Sequence, residues 1–162
     1  MVELNKLFHP MQQSNWDNGY VSTKNIYLNG VYAVEHFPHL LAKTTNLSRQ
    51  LRAAYDNALS KFDVLVTPTL PYIATSHCAP DASPLEQIGK QVGLTANTCQ
   101  FNQTGHPALT LPVGMLEILE GPEKGSGRKL PTGMQIVGRW WEESTVLRVG
   151  YAWEATRTWR EL

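Results

Sequence analysis

The 162-residue sequence has no excess of charge, almost no cysteine and no long apolar run, and each absence closes off a class of function. Fourteen Lys and Arg balance fourteen Asp and Glu. The chain therefore offers no electrostatic footprint for nucleic acid and no basic stripe for an anionic membrane surface. Its two cysteines, Cys78 and Cys99, stand in no metal-ligand spacing. A chain of this length needs no disulfide staple, which favours a reducing compartment. No segment approaches the ~20 apolar residues of a membrane span. The opening MVELNKLFHPMQQSNW sets Pro10 and polar residues where a signal peptide would need its apolar stretch. A cytoplasmic protein with neither membrane nor nucleic-acid partner is expected. No internal repeat is visible, and EGPEKGSGRKLPTG lacks the Gly, Lys and hydroxyl spacing of a phosphate-binding loop.

What is there suits one globular domain spanning residues 1–162, with 42% hydrophobic and 17% charged residues. Leu47, Leu51, Ala54, Tyr55, Ala58, Leu59 and Phe62 fall at helical spacing, which predicts an amphipathic helix over Thr45 to Phe62. An earlier helix is expected over Lys24 to Phe37, stopping before Pro38. The uninterrupted run Val64-Leu65-Val66 reads as a strand covered on both faces, the habit of parallel or mixed sheets. TPTLP then carries the chain off the strand end, either as the rim of a ligand site or as a rigid turn. Ala74 to Pro84 reads as loop and Leu85 to Cys99 as helix. Strands are expected over Ala108–Leu119 and Gly133–Val137, joined by a surface loop of residues 120–132. A last helix follows from Glu142 to Arg157, with Val146, Val149, Trp153 and Thr156 on one face.

Three segments in this order, FDVLVTPTLP, ANTCQFNQTGHPALTLPVGM and LPTGMQIVGRWWEESTVLRVGYAWEA, closely resemble the C-terminal part of the amidase signature family. The resemblance runs from about Lys24 to Trp159. It implies an α/β fold in which a mixed, twisted sheet is flanked by helices. Asn102 and Gly105 would turn the chain out of a helix, Pro107 to Pro112 would form a buried strand, and Gly138 would allow close approach to its neighbour. The family hydrolyses carboxylic amides, or passes the released ammonia onward, with a nucleophilic serine, a second serine across a cis peptide bond and a lysine base. Nothing here matches that set: the sequence has no Ser-Ser dipeptide, and GSG at Gly125–Gly127 lies downstream of the strand motif. A serine hydroxyl needs an adjacent base and an oxyanion needs positioned donors. The expectation is a C-terminal portion of an amidase, inactive alone, needing no cofactor, and self-associating through exposed sheet edge or apolar surface. The alternatives are a noncatalytic interaction module and a fragment of the related amidotransferase subunit.

The resemblance also places Thr95, Cys99 and Trp140 on the wall of the substrate pocket, whereas the plainer reading of the Trp140-Trp141 pair is that one of them simply caps the core. The ammonia-supplying amidotransferase subunit carries an acid where this chain has Thr95, and its companion arginine has no counterpart near TKNIYLNG. A pocket without a carboxylate cannot pair a substrate ammonium, which favours a small-amide or aryl-amide substrate over glutamine. Other motifs have plainer readings. Pro38 spoils a helical pairing of His36 with His39, so Glu35, His36 and His39 read as a helix end and no metal is expected. Ser22 and Lys24 match a Ser–Lys dyad by type alone. NLS at Asn46 opens a helix and NQT at Asn102 belongs to the fold motif, which discounts both as glycosylation acceptors.

Overall fold

The computed structural model describes residues 12–156 and 158–161. The opening segment of residues 1–11 and the Arg157 end of the last expected helix lie outside them. The chain forms two compact units, Met1–Leu40 with Cys78–Gln91, and Leu41–His77 with Val92–Leu162.

In the first unit, α1 (Gln13–Asp17) precedes α2 (Val21–His36), which ends before Pro38 as that residue requires. The second helical piece of this unit, α4 (Pro84–Gly89), opens with a capping box. Ser83 Oγ accepts from the Glu86 amide at 3.3 Å, and Glu86 Oε2 accepts from the Ser83 amide at 2.8 Å. That backbone hydrogen bond, seconded by the Ser83 hydroxyl, holds the Glu86 carboxyl below its ordinary value. The helix expected to continue to Cys99 stops at Gly89. Turns occupy residues 90–98, and Gly93 adopts φ 83°, a left-handed backbone that interrupts a helix.

The larger unit holds α3 (Leu40–Leu59), β1 (Val64–Pro68), α5 (Cys99–Thr104), β2 (Ala108–Glu117), β3 (Lys129–Gly138), α6 (Glu143–Thr156) and a 3-10 turn, Trp159–Glu161. The helix expected from Thr45 starts a turn earlier, close behind Pro38. The strands lie in the order β1-β3-β2. The α/β class is as expected, but both pairings are antiparallel, so the described strands do not form a mixed sheet. β1 sits at an edge, and Val66 is 55% exposed, which corrects the reading of a strand covered on both faces. The connection expected over residues 120–132 is shifted, because β2 ends at Glu117 instead of Leu119 and β3 starts at Lys129 instead of Gly133. A register shift between Pro112 and Gly114 inserts Val113 as an extra residue on β2.

Alternation along β3 divides its side chains between two layers. Ile136 faces the core cluster with Leu111 and Val146, against which Val64, Leu109, Met134, Val149 and Trp153 pack. Gln135 and Val137 are buried on the opposite face. The contact of α6 with the sheet depends on two missing side chains. A β-carbon on Gly138 would overlap Val146 Cγ2, and one on Gly150 would lie 2.6 Å from Leu109 Cδ2. Arg139 then fixes the turn between β3 and α6. Its guanidinium donates to the Leu59 carbonyl at 2.8 Å and to the Phe62 carbonyl at 3.0 Å, and pairs with Glu142 at 3.1 Å.

Gly138→Ala is expected to destabilise the fold by ~1–3 kcal/mol, the usual cost of overpacking a core contact that backbone holds in place. Urea unfolding followed by tryptophan fluorescence checks this, and an unchanged midpoint would show that α6 can retreat freely.

Candidate active-site wall

The end of β1, where the chain leaves the sheet as TPTLP, gathers a set of polar side chains. Thr67 stands opposite Gln135 in the ladder. Gln135, only 3% exposed, donates from Nε2 to Thr67 Oγ1 at 3.2 Å and to the Asn97 carbonyl at 2.8 Å. Asn97 Nδ2 in turn donates to the Pro68 carbonyl at 3.0 Å. Thr69 and Thr110 bring their hydroxyls within 3.3 Å of each other. They do so over Gly133, whose β-carbon would lie 3.0 Å from Thr69 Oγ1. A buried polar side chain must find partners, and here those partners pin the 93–98 turn to the strand end. TPTLP is therefore one side of a hydroxyl-rich rim.

Thr95 and Cys99 stand on either side of Asn97 in the chain. The Cys99 amide donates to the Thr95 carbonyl at 2.9 Å, and both side chains are exposed. Cys99 opens α5 as a free thiol whose Sγ lies 3.5 Å from Gln100 Oε1. Five residues later the helix ends as its sequence directs. Gly105 takes φ 77° and its amide closes on the Phe101 carbonyl at 2.8 Å, the left-handed cap that glycine adopts without strain.

Trp140 lies at that other end of α5. Its ring is 3.0 Å from where a β-carbon on Gly105 would be, meets the His106 ring edge-on at 6.3 Å, and is covered by the Arg52 guanidinium at 4.0 Å. The structure thus joins Thr95 to Cys99 and sets Trp140 beyond the far end of the helix. Trp140 Nε1 is buried and has no acceptor among the described residues. Trp141, in contrast, is 84% exposed and takes φ 63°, a strained value for a bulky residue. Nothing in the pair of letters WW distinguishes the packed ring from the presented one.

A second arrangement beside Trp140 went unread in the sequence because its members are far apart. His106 Nε2 lies 3.1 Å from Asp56 Oδ1 and Nδ1 lies 2.9 Å from Thr104 Oγ1. A carboxylate only accepts, so Nε2 carries the proton in the neutral ring and Nδ1 accepts from the Thr104 hydroxyl. The connectivity is that of a nucleophile, base and acid, yet the accessibility is inverted. Thr104 is fully buried while Asp56 is half exposed, so no substrate could reach the hydroxyl. The cluster is a clasp. With Arg52, whose Nε donates to the Thr104 carbonyl at 3.1 Å, it ties α3 to the connection between α5 and β2.

The remaining sequence candidates stay apart. The His36 ring lies tilted against Tyr32 at 4.3 Å, and among the described residues no three His, Cys, Asp or Glu side chains gather. Lys24 Nζ donates to the Asp17 carbonyl at 3.2 Å, away from Ser22 in the same unit. No helix among the described residues is long and apolar enough to cross a membrane.

Thr104→Val keeps the shape of residue 104 and removes the donor to His106 Nδ1. The loss should cost about 1–3 kcal/mol in urea unfolding, the penalty for a buried polar atom left without a partner.

Comparison with known proteins agrees with the order of these elements. The family model described as Amidase matches residues 12–147. The chain is 45% identical, over 71% of its length and 52% of the relative's, to a Rhodococcus erythropolis protein described as uncharacterized in the nthA 5' region. It is 40% identical to an enantioselective amidase of Rhodococcus rhodochrous, covering 67% of this chain and 19% of that one. It is 31% identical to the A subunit of the glutamyl-tRNA(Gln) amidotransferase of Methanosarcina barkeri, covering 91% of this chain and 28% of that one. The chain therefore spans about half the length of the first relative and less than a third of the other two. With the family match running from α1 into α6, through the polar rim and the strand pair closed at Gly138, the chain belongs to the amidase family.

Proposed function

We propose that the chain supplies sheet and part of the substrate-pocket wall to an amidase that hydrolyses a carboxylic amide to an acid and ammonia or an amine. The catalytic serines and lysine implied by the family resemblance lie in sequence that this chain does not carry. The observation that carries this reading is the polar rim at the end of β1, built by Thr67, Thr69, Asn97, Thr110 and Gln135, in a family member without a Ser-Ser dipeptide. The Gly125–Gly127 segment lies in the β2–β3 connection, where Ser126 Oγ accepts from the Arg128 amide at 3.3 Å. Among the described residues Ser126 Oγ forms no hydrogen bond with a lysine, histidine or carboxylate. Such a serine is a poor nucleophile, and the chain alone is inactive on this reading.

Thr95 and Cys99 are the proposed substrate contacts at the rim. Trp140, at the other end of α5, is proposed as a separate contact through its buried indole N–H. Thr95 offers a hydroxyl and no charge, so a neutral small amide or aryl amide suits this wall better than the ammonium of glutamine. The higher identity to an amidase than to an amidotransferase supports the same choice. Two free cysteines fit a cytoplasmic setting.

Ammonia release from acetamide, benzamide and glutamine by the purified 162-residue chain is the test. No release above the uncatalysed background is expected. Turnover of any of the three would place a nucleophile and base within this chain and overturn the reading.

A second reading, a noncatalytic module that associates with copies of itself, is favoured by one observation. Ile26 and Val34 on α2 are 71% and 78% exposed, and edge-strand Val66 is exposed as well. Unpaired edges and apolar faces drive association. Light scattering at working concentration should then give a mass above 18.2 kDa, and a clean monomer would dismiss this reading.

A further inference from the structure

One cleft in the larger unit has a chemistry that the amidase reading does not use. It lies along the first half of α3, encloses about 320 Å³ and includes Thr44, Thr45, Ser48, Arg49, Arg52 and, from α5, Gln103. Leu41 is its one apolar lining residue, and no Asp or Glu lines it. Among the described residues neither arginine forms an ion pair with an acid. The nearest carboxylate one turn along from Arg52, Asp56, is engaged by His106 at 3.1 Å. In a chain whose charges cancel overall, the cleft concentrates two uncompensated cations.

Arg52 is also held in place. Its Nε donates to the Thr104 carbonyl at 3.1 Å and its plane lies 4.0 Å over the Trp140 ring, while its two terminal nitrogens have no partner among the described residues. A guanidinium fixed in this way loses less entropy on forming a forked hydrogen bond. Ser48 Oγ donates to the Thr44 carbonyl at 2.9 Å and lies 3.4 Å from Gln103 Oε1, and the Gln103 amide nitrogen has no partner among the described residues. Donors thus outnumber acceptors, which selects an acceptor-only anion and rejects an ammonium. Two forks offer contacts to as many as four oxygens, more than one carboxylate supplies. The groove is open, with only Ser48 of its lining residues half-buried.

We propose that this cleft binds a small phosphate-type oxyanion, the phosphate group of a phosphomonoester, between Arg49 and Arg52. The cleft uses none of the polar residues at the end of β1, and it meets the proposed substrate wall only where Arg52 lies over Trp140.

Titration of the 162-residue chain with inorganic phosphate, followed by backbone amide NMR and by calorimetry, tests the proposal. Saturable shifts centred on Ser48, Arg49, Arg52 and Gln103 are expected. Arg49→Gln should weaken binding at least tenfold, and Arg49→Lys should restore part of it. Arg49 is the residue to change because Arg52 also supports the fold, and unaltered circular dichroism of Arg49→Gln confirms that the variant is folded. Three results would overturn the assignment: no saturation by phosphate, equal shifts from sodium chloride at matched ionic strength, or the same affinity in Arg49→Gln. Acetate binding as tightly as phosphate would instead identify a carboxylate site. A single-stranded oligonucleotide that binds where phosphate does not would identify a nucleic-acid surface, and either result contradicts the proposal.

Discussion

The contact of Val146 with the bare backbone of Gly138 is the constraint on which the larger unit depends. Val146 Cγ2 fills the space that a β-carbon at residue 138 would need, so α6 can lie close enough to β3 to bury Ile136 and Leu111 beneath it. Gly150 repeats the device one helix turn further on against Leu109. Two glycines, one at the end of a strand and one within a helix, would weaken either element alone. Here they convert into helix-to-sheet proximity, and dense packing follows only because the sheet and helix approach so closely. Arg139 completes the arrangement by tying the turn after β3 to the end of α3 through two carbonyls.

From that packing the two ends of the sheet acquire different characters. At the TPTLP end, Gln135 is buried with its amide committed to Thr67 and Asn97, which holds exposed Thr95 and Cys99 at the margin. At the opposite end, Trp140 is enclosed by Arg52, His106 and Gly105. The same helix, α5, spans both, so Cys99 at its start and Gly105 at its cap belong to separate surroundings. A polar rim carried on a sheet is the kind of place where an active site is assembled.

Much of the fold was legible because it is written in local signals. Pro38, Gly105 and the apolar spacing of α3 and α6 act on their own neighbourhoods, and the structure places helix ends close to where those residues require them. Val64-Leu65-Val66 misled because an apolar run signals a strand without saying whether a neighbour covers it, and β1 is an edge in the described sheet. Gly93 was the missed sign that a helix could not run from Leu85 to Cys99. The site was less legible than the fold. The Asp56–His106–Thr104 clasp joins residues about fifty positions apart, and no spacing rule reaches that far. The division of labour between Trp140 and Trp141 depends on one positive φ, which identical neighbouring letters cannot reveal.

On the proposed function, this chain is the wall of an amidase whose catalytic groups lie elsewhere. The most direct test is the intact mass of the protein made from its native locus, measured together with the amide hydrolysis of that product. The account expects a product much heavier than 18.2 kDa that hydrolyses small amides. A native product of 18.2 kDa, with or without activity, would contradict it.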